Sequence, residues 1–365
     1  MQTFSRILSW CQRSLFPDLE DEFGPLCEKH RNLINTLVLV PIEEALECRR
    51  SGRYGRPERD RCAIARAFIA KSVLNLPDTR ALISYLQSSP TTRKICGWSR
   101  AGEIPSESTF SRAFAEFADT QLPARLHEVV IEHAFEGRIV GHVSRDSTDI
   151  QAREKPKPKH RKKEIKVPKK RGRPKKGEVR PPKEPTRLQR QQTMTLEHML
   201  DDLPVACDVG SKTNSKGKKN MWIGYKFHVD CSDSGIPISC LLTSASLHDS
   251  QAALPLSLIS NQRVDSLYDV MDAAYDMPVI HDHCAELGHV AIIDHNPRRS
   301  GEKRQMDPAK AQRYKIRSSA ERGFSRLKDG FGARFVRVRG HTKVFAHLMF
   351  GVLALTIDQL ASTIA

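Results

Sequence analysis

The sequence lacks every cysteine pattern of a disulfide framework or a zinc ribbon. Its nine cysteines are odd in number, irregularly spaced and without a Cys-x-x-Cys pair. Thiols of this kind are typical of a reduced, cytosolic protein and exclude a disulfide-stapled secreted domain. Residues 1–24 also lack the apolar core of a secretory signal. We therefore expect a cytoplasmic protein.

No apolar run in the sequence is long enough to span a bilayer, which takes roughly 20 predominantly apolar residues as a helix. The most apolar stretch, residues 344–357, is interrupted by His347 and followed by Asp358. It predicts a buried helix, and no membrane partner is expected. Hydrophobic residues still make up 39% of the chain, which is enough for a real core and excludes global disorder.

Acidic residues are outnumbered by basic ones, and the formal net charge is +16. A basic excess this large usually indicates an anionic partner, most often nucleic acid. The excess is concentrated in residues 155–185, where 15 Lys or Arg stand against three Glu and supply +12 of the total. This stretch has seven prolines and almost no apolar residues. It therefore predicts a flexible surface insertion that buries no core.

The length of 365 residues suggests about two domains, at roughly 150 residues for each. We predict a helical leader over residues 1–55 and an N-terminal helical DNA-binding domain over 56–125. A catalytic domain would follow over 126–365, and the basic insertion, bounded at 153–200, would lie within it.

The N-terminal domain is predicted from short helical patterns. One helical pattern covers residues 60–74, and a second helix begins after Asp78, since aspartate is a good N-cap. A third has Phe110, Phe114 and Phe117 at helical spacing. Two interpretations fit equally well: a helix-turn-helix-like module that binds DNA, or a plain helical bundle that packs or dimerises.

The catalytic domain alternates strand and helix patterns after three initial strands. This order predicts an α/β fold with a mixed sheet covered by flanking helices, preceded by the all-α domain. The predicted strands are 138–146, 222–229, 236–243, 266–271 and 289–293, and the predicted helices are 251–260, 277–287 and 314–328.

Three acidic residues lie at positions in this order that could form one site. Asp146 ends the first strand, Asp272 follows the fourth, and Glu321 lies in the last helix. If the first and fourth strands are neighbours, the three carboxylates converge at one edge of the sheet. Oxygen ligands of this kind suit two Mg²⁺ or Mn²⁺ ions acting on a phosphodiester. The alternative is that the aspartates are ordinary turn or cap residues.

The helix that contains Glu321 supports the metal hypothesis. On a helical wheel, Tyr314, Arg317, Glu321 and Lys328 lie on one narrow face. A single acid flanked by two cations suits a face where glutamate holds a metal while the other side chains bind phosphates. Arg317 and Glu321 also form a good i,i+4 pair, so a simple salt-bridge stripe is the competing interpretation.

The spacing of these four residues resembles the YREK signature of a large superfamily of bacterial insertion-sequence transposases. Asp146-Ser147-Thr148 and the segment from Asp272 to Asp276 resemble the first and second Asp motifs of that family, and residues 56–117 resemble its upstream domain. The resemblance covers roughly residues 56–150 and 205–355. Small residues, Ser147 and either Ala273 or Ala274, stand where the family often has glycine.

This resemblance implies an RNase H-like fold and a catalytic DDE triad of Asp146, Asp272 and Glu321. The triad would bind two Mg²⁺ or Mn²⁺ ions, and Tyr314, Arg317 and Lys328 would bind DNA. The partners would be transposon-end and target double-stranded DNA, with a homodimer on the DNA. The location would be the bacterial cytoplasm, in association with the nucleoid.

Within the basic insertion, Arg171, Gly172, Arg173 and Pro174 resemble the core of an AT-hook. Glycine and proline keep such a segment extended, so that arginines can enter a narrow A·T minor groove. The alternative is a solvated basic tether that makes non-specific phosphate contacts.

The leading hypothesis is therefore a transposase that cuts the ends of an insertion sequence and joins them to target DNA. An RNase H-like nuclease without strand transfer is the second. A catalytically inactive AT-hook regulator is the third, and it would be indifferent to mutation of the triad.

Overall fold

The computed structural model describes residues 2–47, 59–156, 184–213, 217–297 and 301–364. Most of the basic insertion, including the AT-hook-like residues Arg171, Gly172, Arg173 and Pro174, lies outside the described residues.

The described chain before residue 136 is helical, as predicted. Aspartate caps begin two of the helices: Asp60 accepts hydrogen bonds from the backbone of Cys62 and Ala63, and Asp78 accepts one from Ala81 at 2.9 Å. The helices are α1 (Gln2–Trp10), α2 (Phe16–Phe23), α3 (Glu28–Leu39), α4 (Ile42–Glu47), α5 (Arg61–Val73), α6 (Thr79–Ser88), α7 (Pro90–Cys96), α8 (Glu107–Asp119) and α9 (Leu122–Phe135).

A six-stranded mixed sheet follows, covered by further helices. Its strands are β1 (Ile139–Gln151), β2 (Asp208–Thr213), β3 (Lys219–Cys231), β4 (Pro237–Ser244), β5 (Asp265–Met271) and β6 (Val290–Ile293). The helices are α10 (Arg187–Gln191), α11 (Leu196–Asp202), α12 (Ala253–Arg263), α13 (Pro278–Glu286), α14 (Pro308–Tyr314), α15 (Ser318–Gly330) and α16 (His341–Ile364).

The sheet has an antiparallel half and a parallel half that meet at β1. β3 pairs antiparallel with β1, and the other edge of β3 is shared by β2 and β4. On its other side β1 pairs in parallel with β5, which in turn pairs in parallel with β6. This strand order, with helices on the sheet, confirms the predicted RNase H-like fold class.

Three details differ from the sequence predictions. β1 continues to Gln151 instead of ending at Asp146, because its second half pairs with β3. The helix predicted over 314–328 is wrong as one element: α14 ends at Tyr314, a 3₁₀ turn covers Lys315–Arg317, and α15 begins at Ser318. β2 was not predicted, because its exposed, polar sequence has little strand character.

The segment predicted as an insertion over 153–200 is partly folded. Its C-terminal part forms α10 and the start of α11. Leu188 and Met199 are buried there, in one cluster with Leu254 and Ile280 of the catalytic domain. The described residues of this segment after 184 therefore pack against the catalytic domain, and residues 157–183 lie outside the described residues.

α16 joins the two parts of the chain into one core. It packs against α3, α5, α8 and α9 of the N-terminal part and against α15 and β4 of the sheet domain. Phe110, Phe114 and Phe117 of α8 are buried in this shared core, while Arg112 on the same helix is exposed. By length and composition α16 is capable of crossing a membrane, but 78% of its most apolar window is buried inside the protein. The prediction of a buried apolar helix is confirmed.

A substitution at Gly351 tests this packing of α16. A Cβ at this position would lie 2.6 Å from the carbonyl oxygen of Phe331 and 3.2 Å from Leu327 Cδ1. We expect Gly351→Ala to lower the free energy of unfolding by about 1–3 kcal/mol, because overpacking forces the backbone to move. Thermal denaturation is the measurement.

Gly330→Ala is the matched control, since a Cβ at that position, also in a helix, meets no atom within 4 Å. It should leave the melting temperature unchanged or slightly raised. If both variants melt alike, α16 does not make this close approach.

Candidate active site

The parallel pairing of β1 with β5 brings Asp146 and Asp272 together. The last paired residues are Arg145 and Met271, so each aspartate is the next residue on its strand path. Asp146 Oδ1 accepts a hydrogen bond from the backbone N–H of Ser147 at 2.7 Å, and Asp272 caps a short 3₁₀ turn by accepting one from Ala274 at 2.9 Å. Adjacency of the two strands, the condition that the sequence hypothesis set, is therefore met.

The environment of Asp146 opposes its negative charge. Its side chain is largely buried, and this burial raises the pKa of Asp146 to about 6. The nearby Asp272 carboxylate adds to the increase, while the Ser147 N–H, Lys212 and Arg317 oppose it. Two carboxylates held close together in this way are under-compensated unless a cation binds them.

Glu321 reaches this region through Arg317. One guanidinium nitrogen of Arg317 lies 2.6 Å from Glu321 Oε1, and the other lies 3.5 Å from Asp146 Oδ2. The 3₁₀ turn places Arg317 here, and its carbonyl accepts a hydrogen bond from Ser144 Oγ of β1 at 3.2 Å. Arg317 thus stands between the first and third acids of the predicted triad.

A divalent metal fits the donor set in part. Asp146 and Asp272 supply the hard oxygen ligands that Mg²⁺ and Mn²⁺ prefer. The Glu321 side chain is 53% exposed and directed to Arg317, so it has to turn to become a third ligand. Within the described ranges, no group of three His, Cys, Asp or Glu side chains is close enough to hold a metal as it stands.

The other two residues of the predicted helical face, Tyr314 and Lys328, lie apart from each other. Tyr314 lies partly buried beside Arg317, whose guanidinium carbon is 5.9 Å from the ring centre, and burial raises the pKa of Tyr314 to about 12. Lys328 Nζ lies 3.1 Å from Asp149 Oδ1, farther along β1. The 3₁₀ turn interrupts the single helical face that the sequence predicted, yet Tyr314, Arg317 and Glu321 remain together.

A buried ion pair beneath the site was missed by the sequence reasoning. Arg145 donates to both carboxylate oxygens of Asp230 on β3, at 2.8 and 2.7 Å, and Ser260 of α12 donates to the same carboxylate at 2.6 Å. Both charged residues are almost completely buried. The sequence signal for this pair was Arg145 itself, a charged residue within a predicted strand and next to the candidate catalytic residue Asp146.

A second polar cluster lies on the same side of the sheet as Arg145. Lys226 of β3 is 2.8 Å from Asp249 Oδ1, and Ser147 hydrogen-bonds to the same aspartate. His228 hydrogen-bonds to Thr243 at 2.9 Å. Lys226 and His228 lie on β3, and Asp249 lies in the 3₁₀ turn that precedes α12.

Comparison with known families agrees with this geometry. The family model described as "Transposase DDE domain" matches residues 142–357, and the one described as "Transposase domain (DUF772)" matches residues 18–116. No curated protein and no solved structure matched the chain. The DDE domain match places the chain among DNA-cutting enzymes, a family that generally uses divalent metal ions.

The chain belongs to the DDE transposase family, because the first match covers more than half of its length. The resemblance to insertion-sequence transposases is confirmed at this level, and membership of the YREK-signature group stays a prediction. The second match begins at residue 18, so it also includes much of the predicted leader.

The buried Arg145–Asp230 pair should be essential for stability. Arg145→Met leaves the Asp230 carboxylate buried without its cation, and breaking such a pair costs about 3–5 kcal/mol. We expect a clear fall in the urea midpoint of unfolding.

The control is Arg80→Met, which removes an arginine from the solvent-exposed pair with Glu107. It should leave the midpoint nearly unchanged. Equal effects of the two substitutions would show that the buried pair contributes no more than a surface pair does.

Proposed function

We propose that the chain binds the ends of an insertion sequence, cleaves them by metal-dependent phosphodiester hydrolysis and joins the freed 3′-hydroxyls to target DNA. The observation that carries the proposal is the placement of Asp146 and Asp272 directly after the last residues of the parallel pairing between β1 and β5, with Glu321 linked to Asp146 through Arg317. This arrangement lies in the part of the chain matched by the DDE domain.

Asp146, Asp272 and Glu321 are the residues that would hold two Mg²⁺ or Mn²⁺ ions. When bound, such ions supply activation of water or a 3′-hydroxyl and stabilisation of the leaving oxygen. Glu321 has to exchange its ion pair with Arg317 for this role. The released guanidinium then lies beside the two aspartates with its charge free, well placed to bind a phosphate oxygen.

The reaction needs no covalent bond between protein and DNA. Water attacks the scissile phosphorus and the bond to the 3′-oxygen breaks, which leaves a free 3′-hydroxyl on the element end. This hydroxyl then attacks a phosphorus of the target strand and displaces its 3′-oxygen. Since two ends are joined in one event, we expect a homodimer on DNA.

The test of the reaction is incubation of the purified chain with the ends of its own element, a target plasmid and Mg²⁺. Mapped nicks at the element ends together with joined products support the proposal. Nicks without joined products would favour a nuclease, and DNA binding without any nick would favour an inactive regulator.

Three single substitutions separate metal binding from DNA positioning. Glu321→Gln should abolish nicking, because it removes a proposed metal ligand, while the chain still binds DNA. Arg317→Ala should slow nicking but retain or raise Mn²⁺ affinity, since the competing cation of Glu321 and Asp146 is gone. Lys328→Ala should weaken the positioning of DNA with unchanged Mn²⁺ affinity.

Nicking rates at limiting DNA, Mn²⁺ titrations and melting temperatures check these three outcomes. Loss of the i,i+4 pair of Arg317 costs only about 0.2–0.5 kcal/mol, which is too little to unfold the domain. If Lys328→Ala nicks DNA at the wild-type rate, the lysine serves only its ion pair with Asp149.

The basic insertion is proposed to bind DNA as an AT-hook or as a cationic tether. Residues 157–183 carry +12 of the net +16 charge. Their replacement by a short Gly/Ser linker should leave the melting temperature unchanged, weaken DNA binding and flatten its dependence on salt, because fewer counterions are released.

Filter binding over a salt series measures this effect, and an A·T-rich against a G·C-rich duplex distinguishes the hook from the tether. A large fall in melting temperature would instead show that the segment belongs to the folded core.

A further inference from the structure

A cleft of about 500 Å³ opens where the N-terminal helices meet the segment between α15 and α16. Lys71 of α5 lines it from the N-terminal side, with Arg80 and Glu107 nearby, and Arg153 and Arg337 line it from the sheet domain. We call it the Lys71 cleft. None of the residues assigned to the catalytic site lines it.

The charge of Lys71 is poorly compensated. The residue is 7% exposed, and its ammonium group forms no ion pair or hydrogen bond with any residue that the structure describes. Burial lowers the pKa of Lys71 to about 8, with only the Asp78 carboxylate acting against the decrease. Buried lysines normally have a partner, so an unpartnered one facing a cleft points to an anion that is bound there at another stage.

The other charges of the cleft favour an anion as well. Arg80 is paired with Glu107 at 2.9 Å, so these two largely cancel. Arg153 and Arg337 are exposed and form no ion pair within the described ranges. Asp78 is occupied as the N-cap of α6. Lys71, Arg153 and Arg337 therefore face the cleft with one acid among them.

We propose that the Lys71 cleft binds a backbone phosphate of the DNA end that the catalytic site processes, an inference that rests on the proposed function. A phosphate offers the charge and acceptor oxygens that one ammonium and two guanidinium groups would share.

The position of the cleft relative to the triad fits one DNA strand. Arg153 follows Asp146 by seven residues, which is at most about 23 Å along an extended chain. This distance corresponds to about seven base pairs of duplex at 3.4 Å each. Arg317 beside Asp146 and Lys328 beside Asp149 lie along β1 between the catalytic site and the cleft, and in this structure both are ion-paired.

The decisive variant is Lys71→Met, because it separates a binding role from a structural one. Removing an unpartnered buried charge should leave the melting temperature equal or higher. Affinity for end DNA should nevertheless fall about tenfold, and the slope of log affinity against log salt should decrease by about 1.

Lys29→Met is the matched control, since Lys29 is an exposed helical lysine of α3 that does not line the cleft. It should bind DNA like the wild type. Duplexes with a single neutral methylphosphonate, scanned over roughly ten base pairs from the cleavage position, locate the contact. One substitution should weaken the wild type and leave Lys71→Met unaffected.

Several results would overturn the proposal. Wild-type affinity and salt slope in Lys71→Met would do so. Thermal stabilisation of the wild type by pyrophosphate without any DNA defect in the variant would assign the cleft to a free phosphate compound instead. If Lys71→Met does not fold, Arg153→Gln with Arg337→Gln replaces it, and normal DNA binding by that double variant is equally fatal.

The readout is equilibrium binding, so it is independent of cleavage. Glu321→Gln serves as the background for every binding measurement, because it prevents turnover. Binding that depends on Lys71 in a chain whose wild type cannot nick DNA would support the cleft and reject the proposed catalysis. Nicking by the wild type together with DNA binding that does not depend on Lys71 would reject the proposed role of the cleft and leave the proposed catalysis intact.

Discussion

The catalytic region depends on one buried electrostatic contact, the two-pronged ion pair between Arg145 and Asp230. It connects β1 to β3, and Ser260 links the same carboxylate to α12. A charged pair removed from water is stable only when its hydrogen bonds are satisfied, so the three elements are held in one relative position. Asp146 is the next residue after Arg145, so the ion pair also fixes the position of Asp146 relative to β3 and α12. The parallel register with β5 then places Asp272 beside it.

Arg317 is the cation shared by two acids of the proposed triad. In the structure its guanidinium partly neutralises Asp146 and Glu321, which keeps the acids from repelling one another. A divalent metal held by the same carboxylates would carry twice the charge of this guanidinium. Arg317 would then be available to a phosphate, so metal binding and DNA binding would support each other through one side chain.

Much of this could be predicted from the sequence, because strand and helix periodicities were strong where one face is buried. The five predicted strands follow from their own apolar patterns. The pairing of the first strand with the fourth was a condition of the metal hypothesis, and the structure supplies it. The break between α14 and α15 could not be predicted, since nothing local marks residues 315–317 and the turn depends on Ser144 of a distant strand. The Arg145–Asp230 pair is likewise a contact across 85 residues. The cleft around Lys71 exists only because α16 packs the N-terminal helices onto the sheet domain.

Two groups of charges in this protein are compensated incompletely, and they have opposite signs. The Asp146 and Asp272 carboxylates favour a cation, and the Lys71 ammonium favours an anion. The free-energy cost of burying Lys71 and Asp146 is offset by the large core that α5 and β1 share and that α16 joins. A ligand that binds only the folded state stabilises it, so metal and DNA should each raise the stability of the chain. The form free of both ligands would then be the least stable one.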